Sequence, residues 1–275
     1  MNRLPSFAGS IELTDAEFAI FQKLIYEWAG IHMPDTKKTL VSSRIMKRLR
    51  HYGLNSYTDY LRLVRSDDDR GERQMMINLL TTNETYFFRE IRHFDWLRER
   101  ALAHERSEIF RVWSAACSSG QEAYSIAMTL AEVFGETGWQ VIGTDISERM
   151  LTQALGATYP LETADEIPKH FLQKYCLKGV GSEAGKFCIV PALLKNIRFQ
   201  HLNLLEHRPG SLGYFDAIFL RNVMIYFDRE TRRKVSEALA QSLRPGGFLV
   251  IGHAESLHGI SERLKAVKPT IYAPQ

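Results

Sequence analysis

No stretch of the chain approaches the roughly 18 consecutive apolar residues that a membrane helix requires. The opening MNRLPSFAGSIELTD has no apolar centre of the kind that marks a secretory leader. Both absences predict a cytoplasmic protein without membrane insertion. Cysteine is scarce: Cys117, Cys176 and Cys188 are scattered, odd in number and without metal-ligand spacing. That excludes a disulfide framework and predicts reduced thiols. The nine histidines form no HExxH or similar pattern, so no metal site is expected. GxGxxG is missing, which removes the ordinary dinucleotide fingerprint. Neither sign of charge dominates, since 35 basic against 32 acidic residues leave a net +3. Without an RNA-binding motif as well, nucleic acid is not the expected partner. No internal repeat or low-complexity tract is visible.

What is present is enough for a large core, in one domain or two unequal ones. Helical patterning fills the first hundred residues. Thr14 and Glu17 are spaced as a capping box, opening a helix with Phe18, Phe21, Ile25 and Trp28 on one face. Gly30 and Pro34 end it. A second helix is expected from about Thr36 to Tyr52, with Val41, Ile45, Leu49 and Tyr52 inward and Gly53 as its stop. Lys37, Arg44, Arg48 and His51 fall on an adjacent stripe. Lys37 to Arg50 holds six basic residues and no acid. Further helices are expected near 56–66, 68–80 and 93–104.

From Ile109 the rhythm changes to strands alternating with helices, which predicts an α/β fold with a parallel sheet covered on both faces. IFRVWSAA, QVIGTDIS, IRFQHLNLL and YFDAIFLRN read as strands. Gly120–Phe134, SERMLTQALGA and Asp228–Leu243 read as helices. PGG leads into the strand FLVIG, and KPTIYA closes the chain. The segment 160–191 interrupts the alternation, and its KYCLKG and KFCIV suit a small antiparallel hairpin. The expected organisation is a helical domain and linker over 1–88, an α/β domain over 89–275, and an insertion at 160–191.

In such sheets ligands sit beyond the carboxyl ends of the strands. SAACSSGQEAYS, Ser114 to Ser125, is a small-residue turn opening a helix, which suits either close approach to a ligand or simply a tight turn. Asp145 ends the second strand, placed either to accept from ribose hydroxyls or to cap the next helix. Asn203 and Asn222 follow later strands, where they suit a ligand's polar edge or turn formation. The densest polar run is LLTTNETYFFRE, Leu79 to Glu90. It sets Thr81, Thr82, Asn83, Glu84, Thr85 and Arg89 among three aromatics, a mixture that suits a pocket for a flat, charged small molecule.

The order of these segments, LLTTNETYFFRE, SAACSSGQEAYSIAM, VIGTDIS, FDAIFLRNVMIYF and LRPGGFLVIGHAESL, closely resembles the chemotaxis receptor methyltransferases of the CheR family. The likeness spans nearly the whole chain. It implies a class I S-adenosylmethionine methyltransferase domain, Rossmann-like, with a small all-helical N-terminal domain and a β-subdomain insertion. It implies S-adenosyl-L-methionine as cofactor, S-adenosyl-L-homocysteine as product, and glutamates on chemoreceptor cytoplasmic helices as substrate. By motif position, Asn83, Thr85, Arg89, Glu122, Asp145, Asn203, Leu204, Asn222 and Val223 would contact the cofactor. Arg89 and Tyr226 would face the transferred methyl. Gln121 and Ala123 stand where many relatives have GEEPYS, while Glu122 is retained. In some members the insertion grips a receptor's C-terminal peptide.

Taken alone, Arg89 would read as an ion pair with Glu90 or another acid, and Tyr226 as packing with Phe227. The basic stripe of Lys37, Arg44 and Arg48 reads either as a solvated face or as a dock for acidic receptor helices. The alternatives to receptor methylation are a methyltransferase acting on RNA or a small molecule, and a non-catalytic cofactor-binding scaffold.

Overall fold

The Thr14 hydroxyl accepts the Glu17 N–H while the Glu17 carboxylate accepts the Thr14 N–H, so the capping box closes as its spacing predicts. It opens α1, Asp15–Ala29, which Gly30 ends in the left-handed conformation. The structure, a computed structural model, describes residues 11–66, 70–105 and 108–275. The first ten residues and the expected start of the fourth helix at 68 lie outside the described residues.

The chain divides into two compact units, Met1–Thr81 and Thr82–Gln275. In the first, α1 is followed by α2 (Lys38–Tyr52), α3 (Tyr57–Arg65) and α4 (Arg70–Leu80). Phe18, Phe21 and Ile25 from α1 and Val41, Ile45 and Leu49 from α2 are all buried in its core. Phe21 stacks against Tyr60 and meets Tyr57 edge-on, each at 6.3 Å.

Two of the three residues of the basic stripe of α2, Arg44 and Arg48, have partners within this unit. Arg48 sends a two-pronged hydrogen bond into the buried Glu72 carboxylate, at 2.9 and 2.6 Å. The Tyr60 hydroxyl donates to the same carboxylate at 2.7 Å and Tyr52 at 3.0 Å. Arg44 donates to the carbonyls of Leu79 and Thr81, satisfying the end of α4. The period that puts these arginines beside the apolar stripe also puts them within reach of the neighbouring helix. Lys37, Lys47 and Arg50 are exposed.

The second unit begins with an extended segment and α5 (Arg92–Leu102). Then β1 (Phe110–Ala115), α6 (Gln121–Phe134), β2 (Trp139–Asp145) and α7 (Glu148–Gly156) alternate. After β3 (Thr158–Pro160), α8 (Lys169–Tyr175), β4 (Cys176–Lys178), β5 (Lys186–Ile189) and the short α9 (Pro191–Leu194), the alternation resumes. It continues through β6 (Ile197–His201), β7 (Phe215–Leu220), α10 (Arg229–Ala240), β8 (Leu243–Ile251), β9 (Leu264–Lys268) and β10 (Ile271–Pro274). Seven strands form one sheet in the order β6-β2-β1-β7-β8-β10-β9. The five from β6 to β8 are parallel, and β10 and β9 add antiparallel. The chain winds outward through β1, β2 and β6, then returns to place β7 beside β1. That reversal opens a crevice at the carboxyl ends of β1 and β7.

Three boundaries differ from those the sequence predicts. The helix expected to reach Leu243 stops at Ala240, and β8 runs through the Pro-Gly-Gly segment. The strand β9 has no counterpart among the expected elements, because LKAVK shows four exposed positions in five. The small sheet within the expected insertion has three strands, β3-β5-β4, since the short Thr158–Pro160 pairs with Lys186–Cys188. Three residues are too few to display a period of two.

Candidate functional site

Non-glycine residues with left-handed backbone are costly and gather where function holds them. Among the described residues there are seven: Phe88, Glu90, Ala116, Ser118, Ala157, Asn222 and Thr270. Five of these lie on three segments at the sheet's crevice: the extended run 82–91, the turn from β1 into α6, and the turn after β7.

The β1–α6 turn, Ala116 to Gly120, bends sharply at Ala116 and Ser118 with φ of 61° and 50°. Gly120, φ 94°, then delivers the chain to α6, where an added Cβ would come within 2.9 Å of the Ala154 Cβ. No side chain caps α6, so the N–H groups of its first turn are available to an acceptor. Asp145, buried at the end of β2, clamps this turn. Its carboxylate accepts from Ser118 N and from Ser147 N, each at 2.8 Å. The helix-cap reading of Asp145 fails, because Ser147 caps α7 by accepting from Met150 N. Burial pushes the Asp145 carboxyl upward, and the N–H groups of Ser147 and Ser118 oppose that.

The run from Asn83 to Glu90 is fastened to the same turn. The Ser118 hydroxyl donates to the Asn83 carbonyl at 3.0 Å, and Phe88 N donates to Ser125 Oγ at 3.0 Å. Asn83 and Thr85 are half-buried. The aromatics do not line a pocket together, as the sequence suggests. Phe87 packs edge-on against Tyr159 at 5.0 Å, Phe88 stacks on Phe171 at 4.8 Å, and Tyr86 stays outside. They anchor the run to the core of this unit and present its polar groups.

Arg89 is half-buried and lies 5.4 Å from the centroid of the Tyr86 ring, with one N–H on the Glu84 carbonyl at 3.1 Å. It does not pair with Glu90. That acid belongs to Arg221, whose fully buried guanidinium bridges Glu90 at 3.1 Å and Glu122 at 3.0 Å. Arg221 also donates to the Arg89 carbonyl. The Ser114 hydroxyl completes the group by donating to Glu122 at 2.6 Å. Burial raises the Glu122 carboxyl, with Arg221 opposing it. Burial raises Glu90 too, but Arg221 and the His253 N–H outweigh it, so Glu90 titrates below its usual range.

After β7 the chain turns at Asn222, φ 59°, where the backbone N–H donates to Glu255 at 2.9 Å. Glu255 also accepts from Gly252 N at 2.7 Å, tying the ends of β7 and β8 together. A Cβ on Gly252 would lie 2.7 Å from the Asn222 side chain, so the position is confined to glycine. Val223 is half-buried and Tyr226 lies partly exposed in the turn that follows. Tyr226 has no ring partner among the described residues. Asn203 and Leu204 follow β6 and are half-buried. Asn203 accepts from Leu205 N at 3.1 Å, as a turn-forming asparagine does. Leu202 N on the Asp145 carbonyl brings this turn alongside β2.

The family profile for the CheR methyltransferase all-alpha domain matches residues 16–81, and that for the CheR methyltransferase SAM binding domain matches residues 83–273. The chain belongs to the CheR methyltransferase family. Among CheR relatives, the chemotaxis protein methyltransferase of Escherichia coli K12 is 40% identical, over 96% of this chain and 92% of its own. Chemotaxis protein methyltransferase 2 of Pseudomonas aeruginosa is 38% identical, over 95% and 94%. The chemotaxis protein methyltransferase of Borreliella burgdorferi is 34% identical, over 97% and 96%. The cofactor of this CheR enzyme is S-adenosylmethionine. A buried carboxylate, an uncapped helix start and a confined glycine turn at one crevice are a donor and acceptor set that suits it. No helix among the described residues is long and apolar enough to cross a membrane.

Arg221, Glu90 and Glu255 escape the sequence-based prediction, although each stands inside a motif that it singles out. The available signal is charge at the buried end of a strand: FLRN places an arginine directly after apolar residues.

Proposed function

We propose that this CheR-family methyltransferase esterifies glutamate side chains on chemoreceptor cytoplasmic helices, with Arg89 and Tyr226 at the reacting groups. The observation that carries this is the Arg89 guanidinium, half-buried beside the crevice and free of any carboxylate among the described residues. When bound, S-adenosylmethionine supplies an electrophilic methyl on a cationic sulfur. The substrate glutamate is ionised at neutral pH, with a reference pKa of about 4.3, so it is already a nucleophile and needs no general base. Arg89 holds that carboxylate through its planar fork of N–H groups, which limits the cost of drawing it out of water. The Tyr226 hydroxyl donates a hydrogen bond that orients the same carboxylate. Alignment is the larger share of the catalysis.

Asp145 accepts hydrogen bonds from the ribose hydroxyls through lone pairs that Ser118 N and Ser147 N leave open. Asn83, Thr85, Glu122, Asn203, Leu204, Asn222 and Val223 complete the cofactor's surroundings. Receptor helices carrying target glutamates are met by the accessible cations Lys37, Lys47 and Arg50. The β3-β5-β4 sheet offers β4 as an edge, with Leu177 and Val180 exposed. A receptor's C-terminal peptide adds there as a further strand.

Methyl-labelled cofactor, the enzyme and receptor-bearing membranes test the reading. Base-labile label on receptor glutamates is expected. Label on RNA or a small molecule, or no transfer, contradicts it. A free C-terminal receptor peptide should slow labelling of tethered receptors, and no competition removes the edge-strand reading alone.

A further inference from the structure

Beside the candidate methyl-transfer residues lies a cluster that the mechanism does not use. His93 on α5 and His253 after β8 face the Glu90 carboxylate. His93 Nδ1 is 3.4 Å from Glu90 Oε2, and His253 Nε2 is 3.9 Å from the same oxygen. All three ligand atoms lie within 4.8 Å of one another. The two imidazole rings meet edge to face with centroids 4.9 Å apart.

The decisive atom is His93 Nδ1. His93 is 3% exposed, and this nitrogen is buried without a hydrogen-bond partner. Its tautomer follows from its neighbours. The Thr270 hydroxyl donates to the Pro269 carbonyl at 2.6 Å, so its oxygen accepts the 2.8 Å bond from His93 Nε2–H. Thr270 is a β-branched residue in left-handed backbone, φ 63°, an arrangement that calls for a reason. With the proton on Nε2, Nδ1 presents a bare lone pair to a carboxylate oxygen. Two lone pairs at 3.4 Å repel unless a cation lies between them. A ring nitrogen aimed at a cation while the other N–H is held by a protein acceptor is the arrangement of metal-ligating histidines.

We propose that His93 Nδ1, His253 Nε2 and one oxygen of Glu90 bind a single first-row transition-metal dication of the Zn2+ class. Two ligands on a tetrahedral Zn2+ stand roughly 3.4 Å apart, given bonds of about 2.0–2.1 Å, which matches the His93–Glu90 separation. Two imidazoles with one carboxylate favour Zn2+, Co2+ or Ni2+ over the hard cations Mg2+ and Ca2+. His253 is the exposed ligand, its side chain 53% accessible, and it gives the ion a route from solvent and room for a water ligand. Glu90 Oε2 accepts from Arg221 at 3.1 Å and from the His253 N–H at 3.2 Å, and that N–H also reaches Oε1 at 3.2 Å, so the ion takes the lone pair that the N–H gives up by staying on Oε1. Glu122 and Glu255 add negative charge to the same hydrogen-bonded group. The histidine spacing in the sequence does not reveal the site, because His253 follows His93 by 160 positions (253 − 93), although Glu90 and His93 stand only three apart.

The test is titration of the metal-free full chain with Zn2+ against a chromophoric chelator, and with Co2+ by visible absorption. One equivalent should bind, with Co2+ bands of four- or five-coordinate intensity. His253→Ala, at an exposed side chain, should melt like the wild type without metal and bind about tenfold or more weakly. Ring nitrogen NMR should shift His93 Nδ1 on Zn2+ addition. Binding that is unchanged in both His253→Ala and Glu90→Gln would place the metal on other histidines and overturn the assignment, as would the absence of a one-equivalent site in the wild type.

Discussion

Arg89 distinguishes itself by what it does not touch. An arginine in a structural ion pair should lower the melting temperature when removed, but Arg89 has only the Glu84 carbonyl and the Tyr86 ring to lose. Arg89→Ala is therefore expected to melt near the wild-type temperature while its single-turnover methylation falls by orders of magnitude. Affinity for S-adenosylhomocysteine should fall much less. Arg89→Lys should recover little, because an ammonium lacks the planar two-donor fork. A low-melting variant with full turnover would remove Arg89 from the chemistry. Asp145 has two duties, so Asp145→Ala would mix them by orphaning Ser118 N and Ser147 N. Asp145→Asn keeps one acceptor oxygen and removes the charge. It should weaken cofactor binding on the order of 1.5–3 kcal/mol in a calorimetric titration, and an unchanged affinity would leave Asp145 as a clamp for the turn alone.

The α2 helix separates two kinds of cation that the sequence puts together. Arg48 neutralises the buried Glu72, so Arg48→Glu sets two carboxylates face to face where an ion pair stood. Loss of a buried pair costs about 3–5 kcal/mol, and denaturant unfolding should show the first unit losing stability by about that much. Lys47→Glu with Arg50→Glu touches only side chains without a buried partner to satisfy. Its expected effect is a raised KM for receptor membranes that converges with the wild type at high salt, with melting unchanged. A double variant equal to wild type at every salt concentration would make α2 a solvated face. The helical period places Val41, Ile45 and Leu49 inside correctly, because apolar spacing is a local property. It cannot tell Arg48 from Lys47, because the acid that claims Arg48 lies on another helix, 24 residues on.

At the scale of the whole chain, the α/β alternation and the crevice at the strand ends are legible, because buried parallel strands and their connecting helices write strong periods. Asp145 and Asn222 stand out in the sequence as polar residues closing apolar runs, whereas Glu122 follows a polar turn and enters only through the family resemblance. The network around Arg221 is not, since it depends on which strand ends become neighbours when the chain reverses direction. Acid should expose a second long-range arrangement in this unit. His207 is buried against Trp113 and bonded to Ser242 Oγ at 2.8 Å, and burial holds its imidazole below the usual 6.5. The unfolded chain therefore takes up a proton that the folded chain refuses, and stability falls as pH drops below 6.5. The slope from one such group is at most about 1.4 kcal/mol per pH unit. Urea unfolding at about pH 7.5 and about pH 5.5, either side of the reference imidazole value, should show the decline, and His207→Gln should lessen it. An identical decline in the variant would assign it to other groups.

The shared guanidinium of Arg221 also limits how this sequence can drift. Glu90 and Glu122 sit on different segments, yet each depends on the same buried cation. A neutral residue at 221 strands two carboxylates at once, while a neutral residue at 90 or 122 leaves Arg221 one partner and survives as an intermediate. A lineage can therefore leave this arrangement only by changing the acids first and the arginine last. Among descendants of such a chain, a lost Arg221 should be found only where Glu90 and Glu122 have already gone.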